Sequence, residues 1–113
     1  MYRAPLRDVR FVLEELLDTS SLAAAPELAD YSDELARSVL EEAARFAEGV
    51  LDPLNQPGDL HGACWTPDGV RTAPGFREAY LKFVEGGWPA LGGLPQFGGQ
   101  RVPRALVLSL IHI

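Results

Sequence analysis

Two residues of this 113-residue chain have side chains suited to nucleophilic or metal chemistry at close spacing, His61 and Cys64. Imidazole and thiolate both bind zinc, but a four-coordinate site needs further ligands and none is signalled. The same pair would serve as a cysteine nucleophile with its base only if a third group oriented the histidine and an oxyanion hole stood nearby, and neither is evident. The expectation is a loop histidine and a half-buried thiol, with no metal ligand and no catalytic residue in the chain. Gly92-Gly93 and Gly98-Gly99 would let backbone N–H groups approach an anion. Their spacing matches neither the phosphate loop, which needs a following Lys-Ser or Lys-Thr, nor the dinucleotide fingerprint, which needs a preceding strand. A tight turn between packed helices is expected there. Glu14-Glu15 and Glu41-Glu42 are sequence neighbours, so on a helix their side chains diverge and no acid–base couple forms.

The elements that must position these residues are mainly helical. From Leu6 to Leu17 the apolar positions Leu6, Val9, Val12, Leu13, Leu16 and Leu17 form an amphipathic stripe, with Pro5 suited to the first turn. Asp18 to Ser21 should stop this helix, and Ala23 to Pro26 leave room for a short turn. Ser32 is placed to cap a second helix, with Asp33 and Glu34 at its positive end. Its core stripe is read as Leu35, Val39, Leu40, Ala43, Phe46, Ala47, Val50 and Leu51. On the opposite face Arg37–Glu41 and Glu41–Arg45 are four apart and are expected to pair. Pro53 should end the helix.

From Leu54 to Pro74 the helical period disappears among prolines and glycines, which predicts a loop. Within it, Cys64-Trp65-Thr66 and Val70-Arg71-Thr72 flank Pro67-Asp68-Gly69 and suggest a short β-hairpin, Gly69 supplying positive φ. Helical spacing returns at Phe76, Tyr80, Phe83 and Val84, opened by Pro74 and closed by Gly86-Gly87. These aromatics, with Trp88, are expected in a core or an inter-domain contact. Residues 92–100 are too rich in glycine to be helical throughout. Ala105 to Ile113 reads as the start of a further helix.

Composition narrows the function class. With 47% hydrophobic and 23% charged residues the chain has the make-up of a soluble globular protein. Its formal charge of −6 argues against nucleic acid as a partner. The acids crowd into residues 1–59, where thirteen Asp and Glu face five Arg, a pattern expected of solvated helix faces. A single cysteine rules out an internal disulfide and suits a reducing compartment, so a cytoplasmic location is expected. The amino-terminal residues lack the apolar run of a signal peptide, and no stretch is long enough to span a membrane.

The order of landmarks resembles the amino-terminal part of the acyl-CoA dehydrogenase family, in the branch acting on 3-methylmercaptopropionyl-CoA and related thioesters. The resemblance begins at Tyr2-Arg3-Ala4-Pro5-Leu6-Arg7-Asp8-Val9-Arg10-Phe11. It continues through Val39 to Ala47, Leu51-Asp52-Pro53-Leu54-Asn55, Gly75 to Tyr80 and Phe83-Val84-Glu85-Gly86-Gly87-Trp88, to Phe97-Gly98-Gly99-Gln100. Arg101 and Gln96 depart from it, standing where the family usually has a glycine and an acidic residue.

The resemblance implies an all-α class: an incomplete amino-terminal helical domain carrying the possible hairpin. Residues 1–31 would be an extension with one helix, 32–108 a partial helical domain, and 109–113 a tail resembling that of an artificially truncated sequence and expected to be non-native. It further implies an FAD-dependent enzyme, a homo-oligomer when complete. A carboxylate would remove the α-proton of an acyl-CoA while the β-hydrogen leaves as hydride to the flavin, an electron acceptor then reoxidising it. The catalytic glutamate and main flavin contacts of the family lie beyond this segment. Only Phe97, Gly98, Gly99 and Gln100 are implicated, as part of the acyl pocket. The competing expectation is a free-standing helical interaction module that binds through the apolar faces of its first two helices.

Overall fold

The computed structural model describes residues 1–113. Helix α1 (Leu6–Arg10) runs directly into a π-helical turn (Phe11–Leu16), and Asp18, in the left-handed region at φ 47°, breaks the run. Two 3-10 turns (Thr19–Ala24 and Pro26–Leu28) lead to α2 (Asp33–Phe46). Ser32 caps α2 as expected: the Leu35 N–H donates to its hydroxyl at 3.1 Å.

Pro53 does not end this helix, and residues 54–61 are not a loop. A π turn (Ala47–Leu51) carries the chain into α3 (Asp52–His61), which contains Pro57. In an unbroken α-helix, the Pro53 ring would crowd the Gly49 carbonyl and leave it without a donor. Here the Asp52 N–H reaches back five residues to the Ala47 carbonyl. The wider turn places Pro53 in the first turn of a new α segment, where no N–H is required. The α3 segment ends at Gly62, φ 59°.

The β-hairpin forms. Strands β1 (Cys64–Thr66) and β2 (Gly69–Arg71) pair antiparallel, Trp65 opposite Val70. The second strand starts one residue earlier than expected because Gly69, at φ 121°, is itself the pairing partner of Thr66. Helix α4 (Phe76–Glu85) begins after Gly75, whose φ of 87° a side chain would strain. The 3-10 turns Trp88–Ala90 and Pro95–Phe97 bracket the glycine segment, α5 (Arg104–Ser109) follows, and a last 3-10 turn spans Leu110–His112. The fold is mostly helical with one two-stranded antiparallel sheet, in agreement with the class read from the sequence.

One core holds the molecule together: Leu13, Tyr31, Ala36, Val39, Leu40, Leu91, Val102 and Leu106. Leu40 and Leu106 are sealed at 1% and 0% exposure. Of the α1 stripe only Leu13 is buried; Val12, Leu16 and Leu17 are exposed. On α2 the buried face is Ala36, Val39, Leu40, Ala44 and Ala47, whereas Leu51 is exposed. The face therefore includes two alanines missing from the expected stripe. The expected Arg37–Glu41 and Glu41–Arg45 side-chain pairs do not form either. Arg37 pairs with Glu14, Arg10 with Glu41, and Arg45 with Glu42. The α1 segment lies antiparallel against α2, which offers Arg37 and Glu41 partners across the helix pair.

The shape is a slab of 54 × 34 × 16 Å with a radius of gyration of 16.7 Å. A compact domain of this length would have about 13 Å. Phe11, Leu16, Trp65, Val70, Tyr80, Phe97 and Ile111 are all exposed on this slab. No helix is long and apolar enough to cross a membrane.

Candidate functional site

One apolar groove depends on the continuity of α2 and α3. Because the chain stays helical past Pro53, Phe46, Ala47, Leu51 and Leu54 lie along one edge and face Phe76, Ala79, Tyr80 and Phe83 of α4. Tyr2 and Ile113 approach from the two termini of the chain. The open groove between them measures about 560 Å³. The Phe46 ring centroid lies 6.2 Å from that of Phe83 and 6.4 Å from that of Trp88, both tilted, within the range of favourable aromatic contact. Gly58 permits α4 to approach α3: a Cβ there would meet the Phe76 ring edge at 2.6 Å.

Asp52 and Asn55 are the polar side chains of this groove. The Asp52 carboxylate accepts the Tyr2 backbone N–H at 3.0 Å. A lining of this kind suits an alkyl or aromatic surface. It does not suit FAD. The pyrophosphate of that cofactor calls for basic side chains or converging backbone donors, and the one charge in the groove is a carboxylate. A second apolar groove of about 580 Å³ separates the α1 segment from α5, with Val9, Val12, Leu13 and Leu17 opposite Ala105 and Leu108.

Phe97, Gly98, Gly99 and Gln100 come together as one turn, outside both grooves. The turn is folded back on itself: the Gly99 N–H donates to the Leu94 carbonyl at 3.1 Å and the Gln100 N–H to that of Leu91 at 3.2 Å. A Cβ on Gly99 would fall on the Gly93 carbonyl oxygen, which explains glycine at this position by close approach. Phe97 projects with 76% of its surface exposed, and Gln100 borders a small cavity of about 80 Å³ together with Glu27, Asp30, Tyr31 and Arg101. Arg101 adopts φ 50°. That left-handed conformation favours glycine, so the residue that departs from the family pattern departs at a position with a physical preference for it.

His61 and Cys64 are both exposed, so the thiol is not half-buried as expected. The His61 Nδ1 lies 2.8 Å from the Pro57 carbonyl, and the Cys64 thiol 3.9 Å from the His61 carbonyl. No three His, Cys, Asp or Glu side chains gather as a metal site. The helix aromatics Phe76, Tyr80 and Phe83 rim the open groove and are not enclosed in a core. Sequence reasoning missed this groove because it treated Pro53 as a stop. A usable signal was present: Ala47, Leu51 and Leu54 continue the four-then-three spacing across the proline.

No protein-family model matches the chain. It is similar to the 3-methylmercaptopropionyl-CoA dehydrogenase of Ruegeria pomeroyi, with 32% identity over 112 residues, 99% of this chain and 19% of the relative. The chain is thus similar along nearly its whole length to an acyl-CoA dehydrogenase. A second such enzyme, the broad-specificity linear acyl-CoA dehydrogenase FadE5 of Mycobacterium tuberculosis, is 30% identical over 111 residues, 96% of this chain and 18% of the relative. The chain spans about a fifth of the length of the curated proteins it matches.

Proposed function

We propose that the 113 residues serve as a helical scaffold segment of a flavin-dependent acyl-CoA dehydrogenase and are inactive alone. The whole enzyme would remove the α-proton and β-hydride of an acyl-CoA, give a trans-enoyl-CoA, and pass electrons through FAD to an acceptor. It would work as a cytoplasmic homo-oligomer. In this reading the flavin is held by parts of the enzyme other than these residues, and the turn Phe97 to Gln100 contributes to the wall of the acyl pocket.

One observation carries the reading: a chain aligned along nearly its whole length with two acyl-CoA dehydrogenases folds as a slab 16 Å thick with apolar side chains open on its faces. Domains are normally built from two or more layers that bury each other's apolar faces. A slab with this much exposed aromatic and aliphatic surface suits a segment that packs against further structure.

The test is to purify the chain and record its absorbance between 350 and 500 nm and its oxidation of acyl-CoA with an artificial electron acceptor, roughly the range in which oxidised flavins absorb. The expected result is no flavin band and no oxidation. Stoichiometric FAD retention would overturn the assignment of the flavin site to other parts. The gene decides between this reading and a free-standing interaction module that uses the same apolar faces. A stop codon directly after Ile113, with no coding sequence for further domains, would favour the module.

A further inference from the structure

Residues 1–10 are attached to the rest of the slab differently from the core that follows them. Two ion pairs join residues 1–10 to the α2–π helix, Arg3–Glu48 at 3.2 Å and Arg10–Glu41 at 2.6 Å, and Glu14–Arg37 at 2.9 Å follows just beyond them. In every pair the two residue numbers add to 51, so the three pairs lie on one antiparallel register. Two backbone donors extend it, Ala4 N–H to Glu48 at 2.9 Å and Tyr2 N–H to Asp52 at 3.0 Å. Apolar anchoring is slight: α1 buries no residue, and only Leu6 and Val9 pack partly against the core.

Beyond Arg10 the attachment changes. Leu13 is buried, and its carbonyl accepts from the Thr19 hydroxyl at 3.1 Å, which in turn accepts from the Tyr31 hydroxyl at 3.1 Å. The buried anchor Leu13 sits within the π turn Phe11–Leu16, three residues beyond the last residue of α1. A helical run as short as residues 6–16 is marginal on its own, so α1 depends on docking.

We infer that residues 1–10 form a strap latched by charge and hinged at Phe11–Val12, between α1 and Leu13, which opens while the Leu13–Thr19–Tyr31 anchor stays closed. Opening withdraws Tyr2 from the end of the aromatic groove and Pro5, Asp8 and Val9 from the second groove. The strap therefore controls how much of both grooves is exposed. This inference goes beyond the enzymatic reading and does not depend on it.

Salt distinguishes a charge latch from an apolar one, because screening weakens exposed ion pairs while salt leaves apolar packing intact or strengthens it. The experiment is amide hydrogen exchange on the chain at about 20 mM and about 1 M sodium chloride, conditions that move the Debye length from roughly 20 Å to 3 Å. Exchange at Ala4, Asp8 and Val9 should rise roughly tenfold together, with Val39 and Leu40 changing less than about twofold. Glu48→Ala should reproduce that rise at low salt, and Glu85→Gln, an equal charge change on α4, should not. The inference is overturned if strap and core amides accelerate together, if neither responds to salt, or if Glu85→Gln mimics Glu48→Ala.

Discussion

The half of the molecule built from α1, α2 and α5 is closed, whereas the half built from α3, the hairpin and α4 is open. In the closed half Leu13, Tyr31, Val39, Leu40 and Leu106 meet in one core. In the open half α3 buries no residue, α4 buries only Ala79, and the hairpin pair Trp65 and Val70 stands in solvent. Both halves are rich in apolar residues, so composition does not explain the contrast. The closed half receives a returning segment, Leu91 to Leu106, across the face of α2, and nothing returns over the aromatic face of α4. An apolar stripe becomes core only where the chain supplies a second layer.

The contrast predicts unequal sensitivity to substitution, and the greatest effect belongs at Leu40. Leu40→Ala should lower the free energy of unfolding by about 2–5 kcal/mol in a urea titration, since the sealed site leaves a cavity. A loss below about 1 kcal/mol would mean that the closed half is loosely packed. Gly99→Ala comes next. Its Cβ must displace the Gly93 carbonyl, and a cost of about 1–3 kcal/mol is expected in the same titration. Ser32→Ala removes the cap of α2 and should cost about 1 kcal/mol, with helical circular dichroism falling in parallel.

In the open half, Tyr80→Ala should change stability by less than about 0.5 kcal/mol, because the side chain is 64% exposed. The same variant should reduce binding of a hydrophobic dye to the aromatic groove; a large loss of stability would show that the groove is in fact a core. The smallest effect is electrostatic. The Arg37 guanidinium hydrogen-bonded to Glu14 holds its carboxyl below the usual carboxylate range, and nearby positive charge adds to this. A depressed carboxylate stabilises the fold above its unfolded pKa and ceases to do so as pH falls through its folded value. The urea midpoint of the native chain should therefore drop slightly more on acidification than that of Arg37→Gln. Parallel acid profiles for the two would remove Glu14–Arg37 from the forces that hold α1 to α2.

Much of this architecture can be read from the residues. The Ser32 cap, the helix of Phe76 to Glu85, the hairpin about Pro67-Asp68 and the break at Asp18 follow from local chemistry: a hydroxyl before a helical stripe, a turn pair between short strands, a polar cluster after an apolar one. The relation to acyl-CoA dehydrogenases was also legible, from the order of short blocks along the chain. The groove was not. Its existence turns on Pro53, which by local rules stops a helix and here starts one, because a π turn absorbed the steric conflict.

The sequence by itself determined α2 and α4, the Ser32 cap and the glycine turn, because these depend on interactions within a few residues of each other. Only the tertiary structure decided which face of α2 is buried, which arginine meets which carboxylate, and which apolar stripes find a second layer. Those outcomes depend on segments distant in the chain arriving at the same place. Glu41 shows the difference: two arginines lie four residues from it on its own helix, and its side chain pairs with Arg10, thirty-one residues away, because α1 docks there.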